Sequence, residues 1–283
     1  DASYQLDANN SIGANFGFLR NPKQTWNGDM SSSILQDEEL SENSDSHADF
    51  FWQKNNLSSN IYYVGKIGKL SIDFNTDWLW SKEYQNDVTK EQYQEVGMNA
   101  QSQTAHSLTN KDYHLLASKL VLSYPLLGGN LSLGGEYSNT HRTSKYQMVP
   151  TNLVADDDSR ITESMTSSFL TYSRDFGDLS LEAGMRYEYI DFNYYEYGKY
   201  VPEQSKSYGN WFQSLSLSIP VGKVQMQLSY AADINRPSYH NLRSGIQYDN
   251  RYTYETGNPF LVSQISRNLN YELAYKWLTF DMT

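Results

Sequence analysis

The side chains able to do chemistry are few and scattered. Five histidines (His47, His106, His114, His141 and His240) carry no HExxH-like spacing, so a histidine metal site gives way to plain polarity in predicted loops. Cysteine is absent, which excludes a thiol nucleophile, a disulfide framework and Cys-ligated zinc or iron–sulfur. Asp156-Asp157-Asp158 offers the hard oxygens that Ca²⁺ takes, but it lacks the spaced D-x-D-x-D-G loop and reads as a solvated segment. Gly128, Gly129, Gly134 and Gly135 precede no helix and form no phosphate loop. No nucleophile stands in recognisable spacing to a His partner, so the chain is read as a non-enzyme without a cofactor. Tyrosines remain. Tyr194, Tyr195, Tyr248 and Tyr252 in predicted loops could stack on a carbohydrate or other ligand, and anchoring at an interface explains them equally well.

The chain around these residues is acidic, with a formal net charge of -11 over 283 residues, which argues against a nucleic-acid partner. Acidic runs such as Asp37-Glu38-Glu39 and the aspartates Asp45 and Asp49 read as solvated loops. Mean hydropathy is -0.68, and no run of about 18 apolar residues is available to form a transmembrane helix. Yet 24 tyrosines and 6 tryptophans are many for a soluble domain. A transmembrane β-barrel reconciles these facts, because only every second strand residue meets lipid.

The pattern that positions the side chains is period two. Leu70, Ile72, Phe74, Trp78 and Trp80 alternate with Ser71, Asp73, Asn75 and Asp77; Leu181, Ala183, Met185, Tyr187 and Tyr189 alternate with Glu182, Gly184, Arg186 and Glu188. Val224, Met226, Leu228 and Tyr230 alternate with Gln225, Gln227 and Ser229. Each segment therefore has one apolar and one wet face. Roughly twelve such segments occur, each about ten residues long as a lipid-spanning strand requires. They are Ser3–Asp7, Ser11–Arg20, Leu57–Lys66, Lys69–Ser81, Tyr113–Tyr124, Asn130–Thr140, Met165–Asp175, Asp178–Ile190, Trp211–Ile219, Lys223–Ile234, Ser266–Tyr275 and Leu278–Thr283. Short turns at Ala8–Asn10, Ile67-Gly68, Leu126–Gly129, Phe176-Gly177 and Pro220–Gly222 alternate with long polar loops at Asn21–Asn56, Lys82–Asp112, His141–Ser164, Asp191–Asn210 and Asn235–Ile265. Short periplasmic turns and long extracellular loops are the layout of outer-membrane barrels.

Aromatic residues near the strand ends read as interface girdles: Trp78 and Trp80; Tyr187 and Tyr189; Tyr194, Tyr195 and Tyr197; Trp211 and Phe212; Tyr248, Tyr252 and Tyr254. On the other face, Glu136, Glu182, Arg186, Glu188 and Asp233 are expected to line a wet interior or to meet a plug. The expected fold is all-β: an antiparallel transmembrane barrel in the bacterial outer membrane, with residues 1–283 as one barrel portion. An open edge is not viable in lipid, so the short first segment and the last one at Thr283 read as a piece of a larger wall, without signal peptide or plug.

Two motifs carry a resemblance. Asn235-Arg236-Pro237-Ser238-Tyr239-His240-Asn241-Leu242, followed by Gly257-Asn258-Pro259-Phe260-Leu261, resembles the loop before the last strands of TonB-dependent outer-membrane receptors of the Bacteroidota-type outer-membrane β-barrel family. The family's usual Lys-Pro-Glu continuation is replaced by Val262-Ser263-Gln264. Ser11–Asn15 with Pro22 and Trp26-Asn27-Gly28 is similar to the middle of such a barrel. The resemblance implies about 22 strands in the whole barrel, a plug, and contact with TonB through a segment this chain lacks. It further implies an imported nutrient (siderophore, glycan or peptide) and a possible surface lipoprotein. A structural or adhesive barrel is the alternative.

Overall fold

A strand with one apolar face is stable only when neighbouring strands satisfy its backbone and something apolar covers that face. The computed structural model describes residues 1–282. Its strands are β1 (Ala2–Asp7), β2 (Asn10–Gln36), β3 (Glu39–Ile67), β4 (Leu70–Glu95), β5 (Gln101–Leu126), β6 (Gly129–Val149), β7 (Asp157–Phe176) and β8 (Leu179–Glu196). They continue as β9 (Lys199–Tyr200), β10 (Lys206–Val221), β11 (Val224–Asn235), β12 (Ile246–Asn250), β13 (Thr253–Thr256), β14 (Gln264–Tyr275) and β15 (Leu278–Met282). The main sheet is an antiparallel meander in the order β1-β2-β3-β4-β5-β6-β7-β8-β10-β11-β14-β15, with β9 appended to β8 and β12-β13 forming a separate hairpin. Each of the twelve expected segments maps onto one strand of this path, with Lys69, Asp178 and Lys223 falling one residue outside it in the preceding turns; Thr283 lies outside the described residues. Among those residues no pairing joins β1 to β15, so the sheet is open and forms part of a barrel wall.

Register places the apolar positions in continuous rows. Ile12, Tyr63, Phe74 and Leu120 pair across β2 to β5. Leu122, Leu133, Leu170 and Met185 pair across β5 to β8. Leu217, Leu228, Tyr271 and Met282 do so across β10 to β15. Leu133, Leu170 and Met185 are 53%, 47% and 50% exposed on this face, and lipid is the solvent that accepts them. The reverse face carries the polar row Asn75, Lys119, Glu136, Ser167, Glu188 and Asn210. Two-residue turns close the periplasmic ends, with positive φ at Gly68, Leu127, Gly128, Gly177, Gly222 and Lys276. That handedness matches the twist of the flanking strands.

The long loops are corrected. Residues 21–56, 82–112, 141–164 and 191–210 are mostly strand: β2 and β3 meet at an Asp37-Glu38 turn, and β4 with β5 and β6 with β7 extend as tall hairpins. Above the bilayer both faces of a hairpin meet water, so apolar alternation disappears although the backbone ladder continues. Polar pairs such as Ser31 Oγ to Asp45 Oδ1 (2.5 Å) and Ser33 Oγ to Asn43 Oδ1 (2.8 Å) replace it. His47, His106, His114 and His141 consequently lie on strands. The girdle is also redrawn. Trp78, Trp80, Tyr187, Tyr189 and Trp211 share the parity of the lipid rows, whereas Phe212, Tyr194 and Tyr248 point inward and are buried.

The two faces differ in what charge costs. Leu170→Arg, six residues above the β7 turn, should destabilise the inserted protein by about 2–4 kcal/mol, while the lumen-facing neighbour Thr171→Arg should cost well under half of that. Denaturant titration in lipid vesicles measures both; equal losses would contradict the face assignment.

Candidate functional site

About ten residues from the periplasmic turns the strands leave the lipid band, and the inner face changes character. Ile190, Phe192 and Tyr194 of β8 and Met148 of β6 are each at most 2% exposed. They are covered by the one long irregular segment that remains, residues 236–263, which folds inward over the wall. Leu242 and Tyr239 of this segment pack on Ile161, Ile190, Phe192 and Tyr194. Tyr248 of the β12–β13 hairpin packs with Ala105, Tyr146, Met148 and Val154. Burying each such large side chain contributes about 1.5–3 kcal/mol. The apolar core of the molecule is therefore the seam between wall and inward loop.

Polar contacts fix the loop along its length. At its root, Arg236 donates to Glu188, which also accepts from Arg186 Nε at 2.6 Å; Arg186 Nη2 donates to Glu136 at 2.5 Å, and Lys119 Nζ stands 2.9 Å from the other Glu136 oxygen. This alternating chain runs along the lumen wall from β5 to the loop. Farther out, Tyr239 Oη donates to Glu163 at 3.0 Å and the Tyr194 and Ser244 hydroxyls meet at 2.8 Å. Glu91, only 2% exposed, accepts from Tyr248 Oη at 2.6 Å and from the Arg251 backbone N–H at 2.7 Å. Glu42 takes Arg251 Nε at 3.0 Å and Tyr252 Oη at 2.5 Å. Burial and the Glu91 carboxylate push the Tyr248 phenol up; burial and Glu42 push Tyr252 to about 12. Both tyrosines stay protonated donors in any physiological medium.

The candidate ligand-binding tyrosines and the motif residues singled out in the sequence, Tyr195 excepted, thus meet around one loop, in different roles. Tyr194 lies in the seam at 1% exposure. Tyr195 has the opposite parity and lies under the Arg160 guanidinium at 4.0 Å, with Tyr200 at 5.6 Å. Tyr248 is buried, and Tyr252 is exposed apart from its hydroxyl bond. Asn235 closes β11 opposite Gln264, and Pro237 follows the Arg236 contact. The Asn258 N–H donates to the Asn241 carbonyl at 2.6 Å, and its side chain accepts from the Phe260 N–H at 3.0 Å in the turn that holds Pro259. Gly257 is required by close approach, since a Cβ there would stand 2.6 Å from the Asn241 carbonyl and 2.7 Å from that of Arg243. The motif residues therefore tie the loop together. Glu42, Glu91 and Arg142 fall in stretches that read as loops, where both faces are polar and no alternation marks the wall.

Under the β12–β13 hairpin, burial raises the Asp87 carboxyl to about 6, Gln85, Ser107 and Lys111 opposing it and Asp249 of the loop adding to it. An undocked loop would return Asp87 to the ordinary value of about 3.9. The docked state then binds more protons between these values, so docking strengthens as pH falls from 7.5 to 5.5 and weakens on the way back. Protection factors of residues 246–256, with the intrinsic pH dependence of amide exchange divided out, should rise at the lower pH, and Asp87→Asn should reduce that rise, Asp157 and Asp249 being raised by burial in the same direction; a rise in protection unchanged by the substitution would refute the assignment. Gly257→Ala should loosen the loop by about 1–3 kcal/mol through overpacking, accelerating tryptic cleavage after Arg243 and Arg251 on intact cells by about tenfold or more. Unchanged cleavage would show that the Asn241–Asn258 contact does not hold the loop.

Comparison with known proteins gives this geometry its kinship. The outer membrane protein beta-barrel family matches residues 63–283. No curated protein sequence matches. Similar solved structures include the alcaligin outer-membrane receptor FauA from Bordetella pertussis (13% identity, 98% of this chain and 51% of that one, TM-score 0.41). Others are the hemophore receptor HasR from Serratia marcescens (11%, 96% and 47%, TM-score 0.44) and the siderophore receptor PirA from Pseudomonas aeruginosa (11%, 96% and 54%, TM-score 0.42). The chain spans about half the length of these structures. With the family matched over most of its length and one lipid-facing surface across the sheet, the chain belongs to the outer membrane protein beta-barrel family and resides in the bacterial outer membrane.

Proposed function

We propose that this chain supplies about half the wall of a TonB-dependent receptor that imports a nutrient through a barrel of about 22 strands. The observation that carries the reading is the inward fold of residues 236–263, which places ordered side chains over the lumen wall instead of in the medium. A surface scaffold has no use for a loop held inside. A receptor does, because a ligand that enters from outside must be met there and handed inward. The ladder from Lys119 to Arg236 on the wall below supplies polar partners for a plug or for a passing solute. The Gly257-Asn258-Pro259 resemblance points to the same receptors, and with it to TonB, to an imported siderophore, glycan or peptide, and to a surface lipoprotein partner. No catalytic step is assigned. The tall hairpins from β2 to β5 are the feature that an adhesive barrel would share.

A gene deletion separates the readings. The deleted strain should lose growth on one limiting nutrient class among ferric siderophores, glycans and peptides, and the same loss should follow removal of TonB. Normal growth on all three, with reduced surface attachment, would replace the import reading by the adhesive one.

A further inference from the structure

Two cavities open on the inner wall beneath the root of the loop, and they share Lys111 and Arg142. The inner one is also lined by Tyr194, Tyr239, His240 and Arg243. The outer one, a cleft of about 310 Å³, adds Lys54, Glu83 and Tyr113. Four cationic side chains and one carboxylate thus converge in a chain whose net charge is -11. Glu83 is already taken by Lys111, at 2.8 Å.

The guanidiniums are under-satisfied. Arg142 makes no ion pair or side-chain hydrogen bond among the described residues; its nearest company is the Tyr239 ring at 5.7 Å. Burial and the neighbouring Arg243 charge both work against its protonated form, with Glu83 opposing. Arg243 donates through Nη1 to Gln247 at 2.6 Å, with His240 Nδ1 at 3.2 Å, and Nη2 forms an ion pair with Glu255 at 3.1 Å, but its buried Nε finds no acceptor. Buried guanidinium donors without acceptors are costly, and an anion entering the cleft would supply acceptors while screening the Arg142–Arg243 repulsion. Tyr113 and Tyr239, with ring centroids 6.5 Å apart, wall one side and add flat apolar surface.

We propose that the Lys54–Lys111–Arg142–Arg243 cleft is a binding site for a multivalent oxyanion, a small molecule carrying several carboxylate or phosphate groups. Two guanidinium forks and two ammonium groups suit that chemistry, because Arg matches either oxyanion bidentately and Lys adds point charge. The site lies about 13–15 residues above the periplasmic turns, beyond the lipid band, and is open to the inner vestibule. It deepens the receptor reading by naming a ligand class and rests on that reading only for what happens after binding.

Citrate and inorganic pyrophosphate serve as probes, titrated calorimetrically into the purified full-length protein in detergent micelles. At least one should bind, with affinity falling as salt rises, and the preferred probe separates carboxylate from phosphate. Arg142→Gln should weaken binding at least tenfold, and Arg142→Lys should weaken it less, keeping charge without the fork. Lys145→Gln, on the outward face and paired with Asp158, should bind as the parent does. Heat-modifiability on gels verifies that each variant is a folded barrel; if Arg142→Gln is not, Lys54→Gln takes its place with the same expected direction. Binding of neither probe, or equal affinity in the folded cleft variants and Lys145→Gln, overturns the proposal. Tight binding of uncharged maltotriose undiminished in Arg142→Gln would also overturn it, while leaving the import reading standing.

Discussion

The structure depends on the requirement that no backbone donor or acceptor be left unpaired in lipid. Strand-to-strand hydrogen bonds are the only partners on offer there, so each of the twelve strands lies beside its sequence neighbour, and two-residue turns suffice at the periplasmic ends. The ladder also frees the side chains from any duty to the backbone. One parity can be handed wholly to lipid, as Leu122, Leu133, Leu170 and Met185 are, and the other to water, as Asn75, Lys119 and Glu136 are. The pairing does not stop at the membrane. It carries β2 to β8 well above it, where the same parity that faced the lumen becomes the seat of the inward loop.

That seat explains why the largest buried side chains belong to the extracellular part. A single sheet in lipid has no second layer to pack on, and its apolar face needs none. Above the lipid band, water would meet Ile190, Phe192 and Met148 directly, and residues 236–263 supply the missing layer. The wall carboxylates Glu188, Glu163, Glu91 and Glu42 hold that layer in register, each taking donors from the loop. Loop and wall are thus joined by apolar contact in the middle and by charge-assisted hydrogen bonds along the edge, a division familiar from protein–protein interfaces.

What the sequence revealed followed from where solvent imposes a pattern. Lipid on one side and water on the other wrote alternation into Leu181–Tyr189 and Val224–Tyr230; β11 is legible to within a residue at both ends, and β8 at its start, though it runs on six residues past Ile190 to Glu196. Asn21–Asn56 was not legible: both faces of that hairpin are wet, so nothing distinguishes Ser31-Ser32-Ser33 in a strand from the same residues in a loop. The same blindness hid parity in the tyrosines. Tyr194 and Tyr195 are adjacent and alike in type, yet one is sealed in the seam and the other lies under Arg160 on the opposite side. Resemblance located the motif loop, and chemistry alone could not say that it turns inward, because the acceptors that draw it there, Glu188, Glu91 and Glu42, lie from about 50 to more than 200 residues away and pair with it only once the wall is built.

Charge distribution then sets how such a wall can select a solute. A chain with a net charge of -11 repels anions as a whole, but at physiological salt that field fades within about 8 Å. The cleft around Arg142 is set in the inner wall and partly sheltered from solvent, where an unpaired guanidinium acts at contact distance and is screened least. An oxyanion therefore gains little from steering and much from arrival. Selection in this arrangement comes from the wells at Arg142 and Arg243, not from capture at long range, and it depends on the loop root that holds Arg243 against the wall. The same strand ladder that solves the backbone problem in lipid thereby fixes the spacing of the cations above it: Lys111 on β5 and Arg142 on β6 are held in place by hydrogen-bonded neighbours, and side chains that are preorganised in this way lose little entropy when a ligand binds.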